Sequence, residues 1–137
     1  MNLETKKMLC YPESSISKAV FDIAKKHPKN NAITFMNKSF SYKVFVEKTS
    51  KLSEAFCFCG VKKGDRVLVA LPNIPQAVFA LYSLNAIGAV GVFVSPLSAD
   101  EEIRHYIKKC KCKLAFVLDS LYSKSENAFL RSGVKVI

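Results

Sequence analysis

The chain has 137 residues, of which 50% are hydrophobic, and it carries a formal net charge of +10. This composition excludes an intrinsically disordered chain and suffices for one domain with its own core. The positive charge comes mainly from scattered lysine pairs without interleaved aromatic residues, so a solvated surface is expected and a nucleic-acid partner is not.

Residues 1–12 are predicted to form an N-terminal tail and residues 13–137 a single domain. The first element of that domain is an amphipathic helix, which begins at Ser14 or Ser15 and ends before Pro28. The apolar face of this helix repeats at i, i+3, i+4 and i+7 spacing and consists of Ile16, Ala19, Val20, Ile23 and Ala24.

A short hairpin and a second helix are predicted next. The hairpin strands are Ala32–Met36 and Ser39–Tyr42, and Asn37-Lys38 is the expected turn because Asn tolerates a positive φ. Ser41 is the expected N-cap of the second helix, and Gly60 ends that helix.

The run from Val67 to Leu97 contains no charged residue, and it is long enough for a membrane span. Its residue types change from β-branched to Ala- and Leu-rich and back, which predicts strand Val67–Leu71, helix Pro75–Ala86 and strand Val90–Val94. Apolar strands of this kind are typical of a parallel sheet covered on both faces. A βαβ unit is therefore predicted instead of a transmembrane segment, because helix breakers interrupt the run at Pro72, Pro75, Gly88, Gly91 and Pro96.

The alternation of strands and helices continues downstream. Ser98 and Glu101 are expected to form a capping box at the start of a helix. Strand Lys113–Leu118 follows, then a helix capped by Asp119 or Ser120, and then a last strand. This order predicts an α/β layered fold with a mainly parallel sheet of βα units and a small N-terminal hairpin.

The cysteines predict free thiols in a reducing cytoplasm. Their number is odd, and no secretory signal precedes them. C-x-C spacing differs from the C-x2-C spacing of zinc sites, so no metal ligands are expected. The five cysteines are Cys10, Cys57, Cys59, Cys110 and Cys112.

Four short motifs stand in an order and spacing that resemble the opening segment of adenylate-forming enzymes. They are GVKKGDRV from Gly60, LPN from Leu71, GAV from Gly88 and SPLS from Ser95. More narrowly, they resemble those of acyl-CoA synthetases. The resemblance covers the chain from about Tyr11 onward, and it implies the N-terminal subdomain of an AMP-binding synthetase, as a fragment or truncated product.

The resemblance implies an ATP-dependent acid–CoA ligase that acts on a carboxylic acid, expectedly a fatty acid, through an acyl-adenylate. ATP, Mg²⁺ and coenzyme A are the cofactors expected of the complete enzyme. The phosphate loop, the ribose-binding Asp and the catalytic Lys of the family are not in these residues. No catalytic residue is therefore assigned, and the chain alone is expected to bind no cofactor and to be inactive.

Two positions depart from the family pattern, because Ser95 replaces a frequent Asn and Val44 replaces an acidic residue. An amino-acid-activating adenylation domain and a non-catalytic α/β anion-binding module are the alternative functions. An interrupted sheet would also expose an edge through which the chain could associate.

Few side chains are candidates for ligand contacts. Arg104, His105 and Lys108 lie on or near one side of a predicted helix, and such groups suit the phosphates of coenzyme A. A solvated helix face is the alternative. Asn73 follows the carboxyl end of a predicted strand, where open α/β sheets place ligands, so it is either a substrate contact or a plain turn residue.

Overall fold

The computed structural model of the chain describes residues 13–137, so the predicted tail and Cys10 lie outside the described part. Helices and strands alternate through these residues. The helices are α1 (Ile16–Lys26), α2 (Tyr42–Phe58), α3 (Pro75–Ala86), α4 (Asp100–Cys110) and α5 (Asp119–Ser132). The strands are β1 (Asn31–Phe35), β2 (Lys38–Ser41), β3 (Arg66–Ala70), β4 (Val90–Phe93), β5 (Leu114–Val117) and β6 (Lys135–Val136).

The strands form two sheets, and the larger one is parallel. β1 and β2 make an antiparallel hairpin, while the other four strands are ordered β4-β3-β5-β6 with every neighbour parallel. Val69 in the central strand β3 stands opposite Phe93 of β4 and Phe116 of β5. The predicted α/β fold with a mainly parallel sheet and a small hairpin is confirmed.

The long uncharged run folds as the predicted βαβ unit. It contributes β3, α3 and β4, and within residues 13–137 no helix is long and apolar enough to cross a membrane. Ala80 and Leu84 of α3 are fully buried, but Leu81 is 40% exposed. The helix is therefore covered on most of its circumference and not completely enclosed.

The two faces of the parallel sheet are covered by different helices. Side chains alternate along β3, so Val67 and Val69 pack against α2 and α3, while Leu68 and Ala70 pack against α4 and α5. Each fully buried Val or Leu stabilises such a core by about 1.5–3 kcal/mol. The apolar, β-branched composition of β3 is thus explained by the burial of its side chains on both faces of the sheet.

Two of the predicted helix N-caps are confirmed, and those of α4 and α5 are wrong. Ser15 accepts a hydrogen bond from the N–H of Lys18 at 3.1 Å, and Ser41 likewise caps α2. The capping box at Ser98 does not form, because α4 begins at Asp100 and its N-cap is Ala99, without a side-chain hydrogen bond.

The N-cap of α5 and the hairpin turn each lie one residue away from the predicted position. The N-cap of α5 is Leu118, and Asp119 is the first residue of the helix. In the hairpin, β2 starts at Lys38, and the residue with positive φ is Met36, at 52°, rather than Asn37. In both cases the strand or helix begins one residue earlier than the polar residues in the sequence indicated.

Side-chain hydrogen bonds fasten α3 to the two helices beside it. Ser17 of α1 donates from Oγ to the carbonyl of Tyr82 at 2.7 Å, and its N–H donates to Oδ1 of Asn85 at 3.0 Å. Ser83 donates from Oγ to the carbonyl of Thr49 in α2 at 2.8 Å. Ser83 and Asn85, two polar residues within the uncharged run, therefore have partners inside the protein.

Candidate functional site

A crevice opens between the carboxyl ends of β3 and β4. In the order β4-β3-β5-β6 the connection from β3 runs toward β4 and the connection from β5 runs the other way, toward β6, so the switch point of the sheet lies between β3 and β5. Consequently α3 and α4 lie on opposite faces of the sheet. Open α/β sheets bind their ligands at the carboxyl ends of the strands near such a point, and the loop after β3 borders both this point and the crevice toward β4.

Asn73 lies in this crevice, between two adjoining grooves. One groove, of about 440 Å³, lies between the hairpin strand β1 and the start of α3. The other, of about 470 Å³, lies between the loops that follow β3 and β4. Asn73, Ala77 and Phe93 line both grooves. The structure thus places Asn73 beside a concave surface, and most of the neighbouring side chains are apolar.

The ring of Phe93 depends on the absence of a side chain at Gly91. A Cβ atom built on Gly91 would lie 2.6 Å from Cε2 of Phe93 and 3.3 Å from Cδ1 of Leu84. Gly91 therefore makes room for the aromatic ring that lines both grooves. The sequence indicated Gly91 only as a helix breaker.

The side of the crevice formed by β4 is apolar and open to solvent. β4 is an outer strand of the four-stranded sheet in residues 13–137, and Val90 and Phe93 are 50% and 44% exposed. Leu97, in the loop after β4, is 74% exposed. β4 thus forms one outer edge of this sheet, and association of the chain through an exposed edge stays a prediction.

The structure brings together two of the three predicted phosphate contacts. Arg104 and Lys108 line a groove of about 490 Å³ between α4 and α5, whereas His105 is exposed and does not line it. Lys111 and Arg131 line the same groove. Lys111 was detectable from the sequence, since it follows Arg104 by seven residues, but Arg131 comes from another helix and gave no signal.

The guanidinium group of Arg104 is weakly paired for a half-buried cation. Its Nη2 atom lies 3.8 Å from Oε1 of Glu101, whose side chain is 90% exposed. Its Nε atom is buried and has no hydrogen-bond acceptor among the described residues. Arg104 therefore retains an unused donor.

A second charged cluster has a structural role at the start of β3. Asp65 accepts hydrogen bonds from Nζ of Lys113 at 3.0 Å and from the N–H of Lys62 at 2.8 Å. The hydrogen bond from Lys113 and then that from Lys62 lower the pKa of Asp65. Lys113 also donates to the carbonyl of Gly60 at 2.7 Å, so the cluster joins the end of α2 to β5.

The cysteines within residues 13–137 are unpaired thiols, and no group of His, Cys, Asp and Glu in that range could hold a metal ion. Burial, with a smaller contribution from Cys110, raises the pKa of Cys112 to about 11, although Arg66 acts in the opposite direction. Cys112 is therefore a protonated packing thiol at neutral pH.

With this geometry in place, comparison with known proteins defines the class. The sequence model of the AMP-binding enzyme family matches residues 20–136. The chain belongs to this family of adenylate-forming enzymes, as the four ordered motifs implied.

Two curated relatives from Bacillus subtilis (strain 168) differ in their named activities. A long-chain-fatty-acid–CoA ligase is 31% identical over 115 residues, which cover 83% of this chain and 20% of the relative. A 2,3-dihydroxybenzoate-AMP ligase is 28% identical over 114 residues, which cover 83% of this chain and 21% of the relative. The chain thus spans about one fifth of the length of these relatives.

A solved structure agrees with the fold. The chain superimposes on a long-chain-fatty-acid–CoA ligase from Archaeoglobus fulgidus with a TM-score of 0.83 at 24% sequence identity. The match covers 93% of this chain and 27% of that structure. At this level of identity the likeness concerns the fold alone.

Proposed function

We propose that the chain is the N-terminal segment of an ATP-dependent acid–CoA ligase that activates a fatty acid through an acyl-adenylate. The observation that carries the proposal is the crevice at Asn73, which joins two grooves with apolar walls at the carboxyl ends of β3 and β4. The 31% identity to a long-chain-fatty-acid–CoA ligase supports a fatty acid as the substrate.

In this proposal the chain supplies part of the wall for the acid and no reacting group. An acyl chain would lie against Ala77 and Phe93, and the amide of Asn73 would contact the polar end of the acid. ATP and Mg²⁺ would be bound in the complete enzyme by groups outside these residues, as would most of coenzyme A, and residues 13–137 would act as one subdomain. The predicted contact of Arg104, His105 and Lys108 with the phosphates of coenzyme A stays a prediction.

An aryl- or amino-acid-activating adenylation enzyme is the second candidate. The observation in its favour is the 28% identity to a 2,3-dihydroxybenzoate-AMP ligase over a similar length of chain. Both candidates share the adenylation step, so only the acid distinguishes them. We also propose a cytoplasmic location, which the unpaired cysteines support.

The experiment is a titration of the 15N-labelled 137-residue chain with dodecanoate, 2,3-dihydroxybenzoate and an amino acid. The signals to follow are the side-chain amide of Asn73 and the backbone amide of Ala77. The proposal expects saturable shifts with dodecanoate only, and a smaller shift of the Ala77 signal in an Asn73→Ala variant than in a Gln76→Ala control. Shifts with 2,3-dihydroxybenzoate alone would favour the second candidate, and none with any acid would refute an acid pocket here.

The expected inactivity of the chain has its own test. Pyrophosphate release is measured with ATP, Mg²⁺ and dodecanoate present, and the rate should equal that of a blank without protein. Release above the blank, dependent on the fatty acid, would contradict the view that the catalytic groups lie outside these residues.

A further inference from the structure

The groove between α4 and α5 is lined by more positively than negatively charged side chains. Four cationic side chains and one carboxylate line it, together with the buried side chain of Ile107. The carboxylate belongs to Glu101 and is 90% exposed, so solvent screens it strongly. The cationic side chains are Arg104, Lys108, Lys111 and Arg131.

The helix dipole accounts for part of this arrangement. Lys108 lies in the last turn of α4 and Arg131 in the last turn of α5, where cations are favoured by about 0.3–1 kcal/mol each. The dipole does not explain Arg104, which lies in the first half of α4. Nor does it explain why Nε of Arg104 is buried without an acceptor among residues 13–137, an arrangement that costs about 1–3 kcal/mol.

An anion bound in the groove would balance this positive charge. Nε of Arg104 is enclosed in this structure, so the guanidinium has to turn toward the groove before that donor meets the anion. The Nε and Nη atoms along one edge of a guanidinium donate two parallel hydrogen bonds to the oxygens of a phosphate. The ammonium groups of Lys108 and Lys111 add mobile positive charge, as lysines do at phosphate sites. A phosphate group with two or more negative charges suits this set better than a single carboxylate, which would leave most of the positive charge unbalanced.

The position of the groove separates it from the crevice at Asn73. Lys111 stands just before β5, and Arg131 stands just before β6, at the amino ends of these parallel strands. The crevice lies at the carboxyl ends of β3 and β4, the opposite end of the sheet. An anion in this groove is therefore remote from the proposed acid pocket.

We propose that the groove between α4 and α5 is a binding site for a di- or polyphosphate group of a small solute, separate from the acid pocket. Its volume of about 490 Å³ holds a small molecule and not a polymer. The proposal does not depend on the ligase function, because binding is measured directly and without turnover.

The test uses the 15N-labelled 137-residue chain and inorganic pyrophosphate at low ionic strength. The site predicts a saturable shift of the Arg104 Nε–H signal, since that donor gains an acceptor. The double variant Lys108→Gln and Lys111→Gln should bind about tenfold more weakly, because two charges near the ligand are lost. Both lysines are on the helix surface or at its end, so the variant should retain its far-ultraviolet circular dichroism.

Lys109→Gln is the matched control. Lys109 is exposed, lies on the same helix and does not line the groove, so the affinity should change less than about twofold. Arg104→Lys keeps the charge but loses the paired donors, and it should weaken binding more than Lys109→Gln does. Equal effects of Lys109→Gln and the double variant would refute the location, and no saturable shift with millimolar pyrophosphate would refute the site.

A second arm distinguishes a free phosphate compound from a lipid headgroup. Vesicles of phosphatidylcholine with one fifth phosphatidic acid replace pyrophosphate, and binding is measured by co-sedimentation. The proposal expects pyrophosphate to bind in solution and to compete with any association to the vesicles. Association with vesicles that pyrophosphate does not displace, together with no shift at Arg104, would overturn it.

Discussion

The hydrogen bond from Ser83 to α2 gives a sharp test of how the uncharged run is held in place. The Oγ atom of Ser83 donates to the carbonyl of Thr49 at 2.8 Å, and both residues are 0% exposed. The Oγ1 atom of Thr49 is also buried, but it has no hydrogen-bond partner among residues 13–137. In the same helix interface the hydroxyl of Ser83 is thus hydrogen-bonded, whereas the hydroxyl of Thr49 is not.

The structure gives an expected magnitude for each deletion. Ser83→Ala loses a neutral buried hydrogen bond, which contributes about 0.5–1.5 kcal/mol, and it leaves a void too small for water. A loss of about 1 kcal/mol should lower the melting temperature by about 4 °C in a domain of this size. Thr49→Val replaces an unpaired hydroxyl with a methyl group of similar shape, so the free energy of unfolding should be unchanged or higher.

Urea denaturation followed by circular dichroism measures both variants. The slope with denaturant should be the same for the wild type and the variants, so that the midpoints report stability alone. Ser83→Ala should have the lower midpoint, and Thr49→Val should equal or exceed the wild type. If Thr49→Val were the more destabilised of the two, the packing of α3 against α2 would differ from this structure.

Three further predictions concern the crevice, the acid limb of stability and the thiols. Gly91→Ala would place a methyl group 2.6 Å from the ring of Phe93, so we expect a loss of about 1–3 kcal/mol in urea denaturation, and unchanged stability would contradict the contact. The lysine ammonium and backbone N–H that bind Asp65 lower its pKa, so its stabilisation is full above the unfolded pKa of about 3.9 and is lost as the pH falls through the folded pKa. The stability difference between wild type and Asp65→Asn should therefore shrink in acid, and a difference that persists at about pH 2 would contradict this linkage. Burial raises the pKa of Cys112 to about 11, so at pH 8 iodoacetamide should modify it more slowly than the exposed Cys57, and equal rates by peptide mass spectrometry would be contrary evidence.

The architecture was predictable because its signals are local and repeated. The β-branched block of β3, the Ala- and Leu-rich α3 and Gly88 stand next to one another in the chain. β3 and most of α3 are buried or half-buried as their composition requires, and Gly88 follows the helix with a φ of 72°. The cap at Ser98 was less predictable. Ser98 was predicted as the N-cap because it is a hydroxyl residue shortly before a helix. In the structure a different serine bonds within this loop, since Oγ of Ser95 accepts a hydrogen bond from the N–H of Leu97 at 3.2 Å.

The position of Asn73 was predictable from the sequence, whereas the meeting of Arg104 and Arg131 was not. The strand order explains this difference. A right-handed crossover places a helix on one face when the sheet grows in one direction and on the other face when the direction reverses. In the order β4-β3-β5-β6 the first crossover runs opposite to the next two, so α3 covers one face while α4 and α5 share the other. The reversal puts α3 and α4 on opposite faces on either side of the crevice at Asn73, and the shared face of α4 and α5 brings Arg131 to the groove of Arg104. Asn73 could be found because it follows its own strand, but the meeting of Arg131 and Arg104 required the order of strands, which no local pattern contains.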